Sequence, residues 1–166
     1  MRENLESGFG EAGEKAGQKV TNAFKRAVAT VLTERGIEID KRPASVELVP
    51  SLAKTADLSF RVRGIPWVIE VKSGLEFNSL GAAVLEGVLF RHRRPGGQFV
   101  LLSLYSKMKA TPDQLEALLM ELGVGHAFDH IAVFSLNSVT DDWWRDTARR
   151  INEFFGLVPM PDGFVA

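Results

Sequence analysis

Asp57 and, thirteen residues further on, the pair Glu70 and Lys72 place two carboxylates and an amine at the ends of apolar, extended segments. Left unpaired in a core, each of those groups would cost several kcal/mol. A divalent cation removes that cost. Hard Mg2+ takes one or two carboxylate oxygens together with waters and phosphate oxygens, and a lysine beside it can act on the water that the ion activates. The chemistry such a pattern points to is metal-assisted attack on a phosphate ester, and the plainer alternative is a hairpin whose strands are tied by a salt bridge. A bare Glu-X-Lys is common in any protein and means nothing alone. It acquires weight only if the surrounding elements bring Asp57 to the other two.

Those elements can be read from periodicity. From about Glu14 to Glu34, the residues Val20, Phe24, Val28, Val31 and Leu32 recur at three- and four-residue steps, which predicts an amphipathic helix closed by Gly36. Four glycines between Gly8 and Gly17 weaken the helix ahead of it, and residues 1–12 are read as mobile. Three extended stretches follow at roughly Val46–Val49, Ala56–Val62 and Pro66–Val71, separated by Pro50-Ser51 and by Arg63-Gly64. In the second, Leu58, Phe60 and Val62 alternate with Asp57, Ser59 and Arg61; in the third, Trp67, Ile69 and Val71 alternate with Val68, Glu70 and Lys72. A period of two puts Glu70 and Lys72 on one face.

A second helix is expected from about Ser79 to His92, stopped by Pro95-Gly96-Gly97, and Phe99–Leu104 reads as a buried strand. Thr111-Pro112-Asp113-Gln114 supplies an N-cap, a proline at the first helical position and a capping-box glutamine for a helix through about Leu122. Ile131–Leu136 is another short strand, and Thr140 with Asp141 and Asp142 starts a last helix through about Phe155. The order is αβββαβαβα, an α/β fold with a mixed sheet, read as one domain over residues 1–166.

The segments Ala56-Asp57-Leu58 and Val68-Ile69-Glu70-Val71-Lys72-Ser73, facing each other across a hairpin, resemble the motif of the PD-(D/E)XK nuclease superfamily, the restriction-endonuclease-like fold. The proline that names the motif is Ala56 here, a change that touches no proposed ligand. The family core, αβββαβ, matches residues 14–104 in order, and the remaining helix, strand and helix form a C-terminal α-β-α extension. What the resemblance implies is an enzyme that hydrolyses DNA phosphodiester bonds with Mg2+, Mn2+ substituting. Asp57, Glu70 and the backbone carbonyl of Val71 would hold the ion, while Lys72 orients water and stabilises charge on the phosphate. Many members add a glutamate from the first helix. Glu14 is the choice here, since helical steps bring it in line with Val28 and Leu32, although Glu11 and Gln18 lie near the same edge. Two branches of the family stay open: small restriction- or homing-type endonucleases, and archaeal Holliday-junction resolvases, which also show Glu-Val-Lys-Ser. Leu85-Glu86 and Phe90 replace the Gln and Tyr of the helicase-associated exonucleases. Cutting two strands is most simply done by a homodimer.

Composition narrows the field further. The absence of cysteine excludes disulfides, iron–sulfur clusters and thiolate sites, and a formal charge of −1 offers no broad electropositive field. Basic residues do cluster. Arg91, Arg93, Arg94, Lys107 and Lys109 are the candidates for phosphate contacts, against the alternative of a solvated face and favourable cations at a helix end. His126 and His130 are four apart but lie in a glycine-rich loop without a third ligand, so a zinc site is not expected. Trp143-Trp144 and Phe154-Phe155 are read as core packing rather than base wedges. No window is apolar enough to span a membrane and no signal segment is visible, so a soluble, cytoplasmic protein is expected. Two rivals remain: a catalytically silent restriction-like module that binds nucleic acid or a partner, and an α/β domain in which Asp57 and Lys72 form a structural pair.

Overall fold

A computed structural model describes residues 14–49, 52–134 and 143–157; residues 1–12 and 140–142 of the sequence-based expectations lie outside them. The elements are α1 (Glu14–Glu34), β1 (Ser45–Val49), β2 (Leu52–Thr55), β3 (Leu58–Val62), β4 (Ile65–Leu75), α2 (Phe77–Arg93), β5 (Gln98–Ser106), α3 (Pro112–Glu121), a 3-10 turn (Gly125–Ala127), β6 (His130–Val133) and α4 (Trp143–Leu157). Strands β3-β4-β5-β6 form one mixed sheet in that order. β3 is antiparallel to β4, and β4, β5 and β6 are parallel, each parallel pair joined by a helical crossover. The mixed α/β architecture is the one that the alternation of elements predicts.

Both faces of the sheet are covered, and the strand period decides which residue meets which helix. On one face, Phe24, Val28 and Leu32 of α1 and Ile151 and Phe155 of α4 pack on Leu58, Phe60, Ile69 and Val71. On the other, Leu80, Ala83 and Phe90 of α2 and Leu115 and Leu119 of α3 pack on Val68, Phe99 and Leu101. Glu70 follows Val68 by two and therefore points to the α2 side. Trp67 stacks on Phe60 at 5.8 Å between ring centroids and on His130 at 6.1 Å, and Phe154 meets Phe155 at 5.1 Å edge to face. The second aromatic pair is thus core packing, as expected; the Trp143 and Trp144 side chains lie outside the described residues.

The β3–β4 turn is Arg63-Gly64, with φ of +50° and +81°. A two-residue loop needs this left-handed backbone to match strand twist, which is why glycine stands there. Thr111 caps α3 as predicted, accepting from Gln114 N–H at 3.3 Å, and the Gln114 side chain returns to Thr111 N–H at 2.9 Å.

Two expectations need correction. The stretch Val46–Val49 does not lead a three-strand meander: among the described residues β1 pairs with β2 alone, antiparallel, as a separate two-stranded unit that packs against α2. Residues 52–55, read as a connection, are the strand that captures it. Secondly, Asp57 does not open a strand. It sits in a bend between β2 and β3, and the β3–β4 ladder stops at Leu58↔Ile69. The cause is local: the next free N–H on that edge of β4, from Val71, is taken by the Asp57 carboxylate at 2.9 Å instead of by a backbone carbonyl.

Candidate active site

Extending the antiparallel register by one step beyond Leu58↔Ile69 sets Asp57 opposite Glu70, and opposed residues share a face. The hairpin therefore does bring Asp57 to the Glu-Val-Lys segment. Asp57 Oδ2 accepts from Val71 N–H at 2.9 Å, and Oδ1 lies 3.5 Å from Lys25 Nζ, which reaches over from α1. In a strand, the N–H and C=O of one residue leave by the same edge. The Val71 carbonyl is accordingly on the Asp57 side of β4, as a third oxygen donor would have to be.

Glu70 is only 3% exposed, and its charge is balanced by two ammonium groups. Its Oε1 accepts from Lys72 Nζ at 2.5 Å and from Lys54 Nζ at 2.9 Å. Lys54, on β2, also donates to Oε1 of Glu86, a buried carboxylate in the middle of α2. Burial pushes the Glu86 carboxyl above its ordinary range, with Lys54 opposing and the charge of Glu70 adding to the rise. For Lys54, burial works downward, but its hydrogen bonds to Glu86 and Glu70 and their charges outweigh it and raise the ammonium.

Three residues of this cluster, Lys25, Lys54 and Glu86, escaped the sequence reading. For Glu86 there was a signal: it falls among Ala83, Gly87 and Phe90 on the buried stripe of α2, where an acid has no reason to be unless it has a partner. Lys54 had none, because the two-stranded unit that carries it was not foreseen. Glu14 heads α1, and its side chain lies outside the described residues. The α1 residue seen to reach Asp57 is Lys25, three turns further along.

The oxygen donors suit a hard divalent cation. Among the described residues no three Asp, Glu or His side chains already converge as a metal cluster. Mg2+, however, commonly takes only one or two carboxylates and fills its shell with water. Glu70 and Glu86 already flank a cationic nitrogen, so the place tolerates positive charge, and the Asp57 carboxylate is held on the N–H of Val71, the residue next to Glu70.

The basic groups do not form one surface. Arg91 is ion-paired with Asp129, whose other oxygen accepts Phe99 N–H at 2.8 Å; this is a joint between α2 and β5. Arg93 and Arg94 are exposed at the end of α2. Lys107 pairs with Glu76 at 3.0 Å, and Lys109 is exposed with φ of +54°. The arginines precede β5 and the lysines follow it, so the two groups stand at opposite ends of a strand about 30 Å long. His126 is exposed in the 3-10 turn, while half-buried His130 opens β6, its imidazole pKa lowered by burial against the pull of Asp129 and Glu116.

No family model and no curated protein sequence matches the chain. Among solved structures, it is similar to the restriction endonuclease PspGI in complex with substrate DNA, at 14% identity and a TM-score of 0.44, over 92% of this chain and 72% of that one. Among the described residues no helix is long and apolar enough to cross a membrane.

Proposed function

We propose that this protein is a Mg2+-dependent nuclease that hydrolyses DNA phosphodiester bonds, acting as a homodimeric endonuclease of restriction, homing or junction-resolving type. The observation that carries the reading is the hydrogen bond that holds the Asp57 carboxylate on the Val71 N–H, next to Glu70 and its partner Lys72, at the open end of the β3–β4 ladder. Asp57, Glu70 and the Val71 carbonyl would hold the ion, with Glu14 a further candidate; the ion would supply a lowered pKa for water and a counter-charge for the phosphate. Asp57 is fixed by the Val71 N–H, which orients its second oxygen without a flexible arm. Glu70 accepts from both Lys54 and Lys72, which fixes the orientation of its carboxylate. Lys72, two residues on and on the same face, is tethered where it can hold the attacking water and offset charge growing on the phosphate.

Arg93 and Arg94 would contact DNA phosphates from one end of the sheet, and Lys107 and Lys109 from the other, without reading bases. Arg91 can add charge there only from within its pair with Asp129. Replacing Arg93 and Arg94 together by alanine should weaken binding evenly across DNA sequences and reduce the slope of log affinity against log salt by about 2. A slope equal to the parent's removes them from the interface.

The direct test is incubation of the purified protein with plasmid, linear duplex and a synthetic four-way junction, in Mg2+ or EDTA, beside Glu70→Ala. Cleavage of at least one substrate in Mg2+ is expected, with none in EDTA or by the variant. One observation favours a second reading: the lysines satisfy Glu70 without any ion, as a silent nucleic-acid- or partner-binding module would require. No cleavage of any substrate selects that reading.

A further inference from the structure

Lys54 reaches the cluster from outside the sheet that builds it. Its ammonium joins Glu70 on β4 to Glu86 on α2, while Glu70 has a second ammonium in Lys72. Both lysines sit on Oε1 of Glu70, so a divalent ion arriving at either oxygen of that carboxylate brings a third cation close to them, and the repulsion falls on whichever lysine is freer to move. Lys72 is tied two residues away on the same strand. Lys54 hangs from a two-stranded unit, its side chain is 37% exposed, and it already holds a second carboxylate to retreat to.

We propose that Lys54 and Glu86 are a positioning pair for Glu70: the Lys54 ammonium holds the Glu70 carboxylate in place until a divalent cation binds that carboxylate and displaces the ammonium onto Glu86 alone. The inference rests on the metal-dependent reading above and adds two residues to it. Glu86 then acts through Lys54 and does not itself ligate the ion. Its buried carboxylate, poor in water contacts, holds the displaced ammonium away from Glu70.

Opposite signs follow for two variants. Lys54→Gln keeps a donor but removes the competing charge, so Mg2+ should bind tighter, by about fivefold or more. Glu86→Gln takes away the retreat, leaves Lys54 on Glu70 and should weaken Mg2+ binding by about threefold or more. The double variant should bind like Lys54→Gln alone. The experiment is calorimetric titration of Mg2+ into the DNA-free protein and these variants, with Glu70→Ala as reference and thermal melts to confirm folding. The unmutated protein gives a readout independent of substitution, since the Lys54 ammonium resonance should move as Mg2+ is added. Unchanged or weaker binding by Lys54→Gln, or an ammonium signal that stays put while Mg2+ binds, overturns the proposal. An equal loss from Glu86→Gln with and without Lys54 overturns it too, by making Glu86 a ligand. If Glu70→Ala binds Mg2+ as the parent does, the metal reading of the site fails first and this one with it.

Discussion

Lys72→Ala is expected to slow Mg2+-dependent cleavage of duplex DNA by about 100-fold or more, the scale of losing one preorganised charge at a reacting phosphate, while costing less than about 1.5 kcal/mol of stability. The small second number is the informative one. Removing one partner of a buried ion pair ordinarily costs about 3–5 kcal/mol, because a charge is left behind without compensation. Glu70 is not left so, since Lys54 remains 2.9 Å from the same oxygen. Single-turnover cleavage and urea unfolding of the same preparation measure the two effects. A stability loss of about 3 kcal/mol or more, with no metal-dependent activity in the parent, would mean that the cluster is a structural ion-pair network. Taking away both ammonium groups in Lys54→Gln/Lys72→Ala should restore the full penalty, about 3–5 kcal/mol, by stranding the carboxylate.

Among the glycines of the described residues, Gly87→Ala should be the most damaging to stability, at about 3 kcal/mol or more, which is beyond the usual range for overpacking. A Cβ at this position would stand 2.2 Å from the Ala127 carbonyl oxygen, which is backbone, and 3.3 Å from the Phe99 ring. No rotamer change relieves a contact with backbone, so α2 itself must move off the 3-10 turn. That motion would carry the neighbouring Glu86, and the depth at which it holds Lys54, along with it. In a chain of this size about 3 kcal/mol corresponds to a fall of roughly 6–12 °C in Tm. Gly81→Ala on the same helix is the control: nothing lies within 4 Å of its Cβ, so the variant should gain about 0.5–1 kcal/mol from helix propensity. Equal melting temperatures for the two variants would show that α2 does not approach the turn this closely.

Sequence alone sufficed for whatever depends on neighbours along the chain. The three- and four-residue spacing from Val20 to Leu32, the Thr111 capping box, the Arg63-Gly64 turn and the alternation through Trp67, Ile69 and Val71 each encode their own local geometry. Together they dictated the mixed α/β fold and set Glu70 beside Lys72. Tertiary structure alone decided who shares the carboxylates. Lys25, Lys54 and Glu86 come from α1, β2 and α2, up to 32 positions from their partners in sequence, and no period relates them. The separate β1–β2 unit was missed for the same reason: whether an extended segment joins one sheet or another depends on which edge is free, and the outer edge of β3 is met by Ile39, bridged to Phe60, and by Asp40 N–H on the Ser59 carbonyl. Local pattern specifies the face a side chain points to, whereas charge pairing across elements is settled only when packing forbids each ion any other partner.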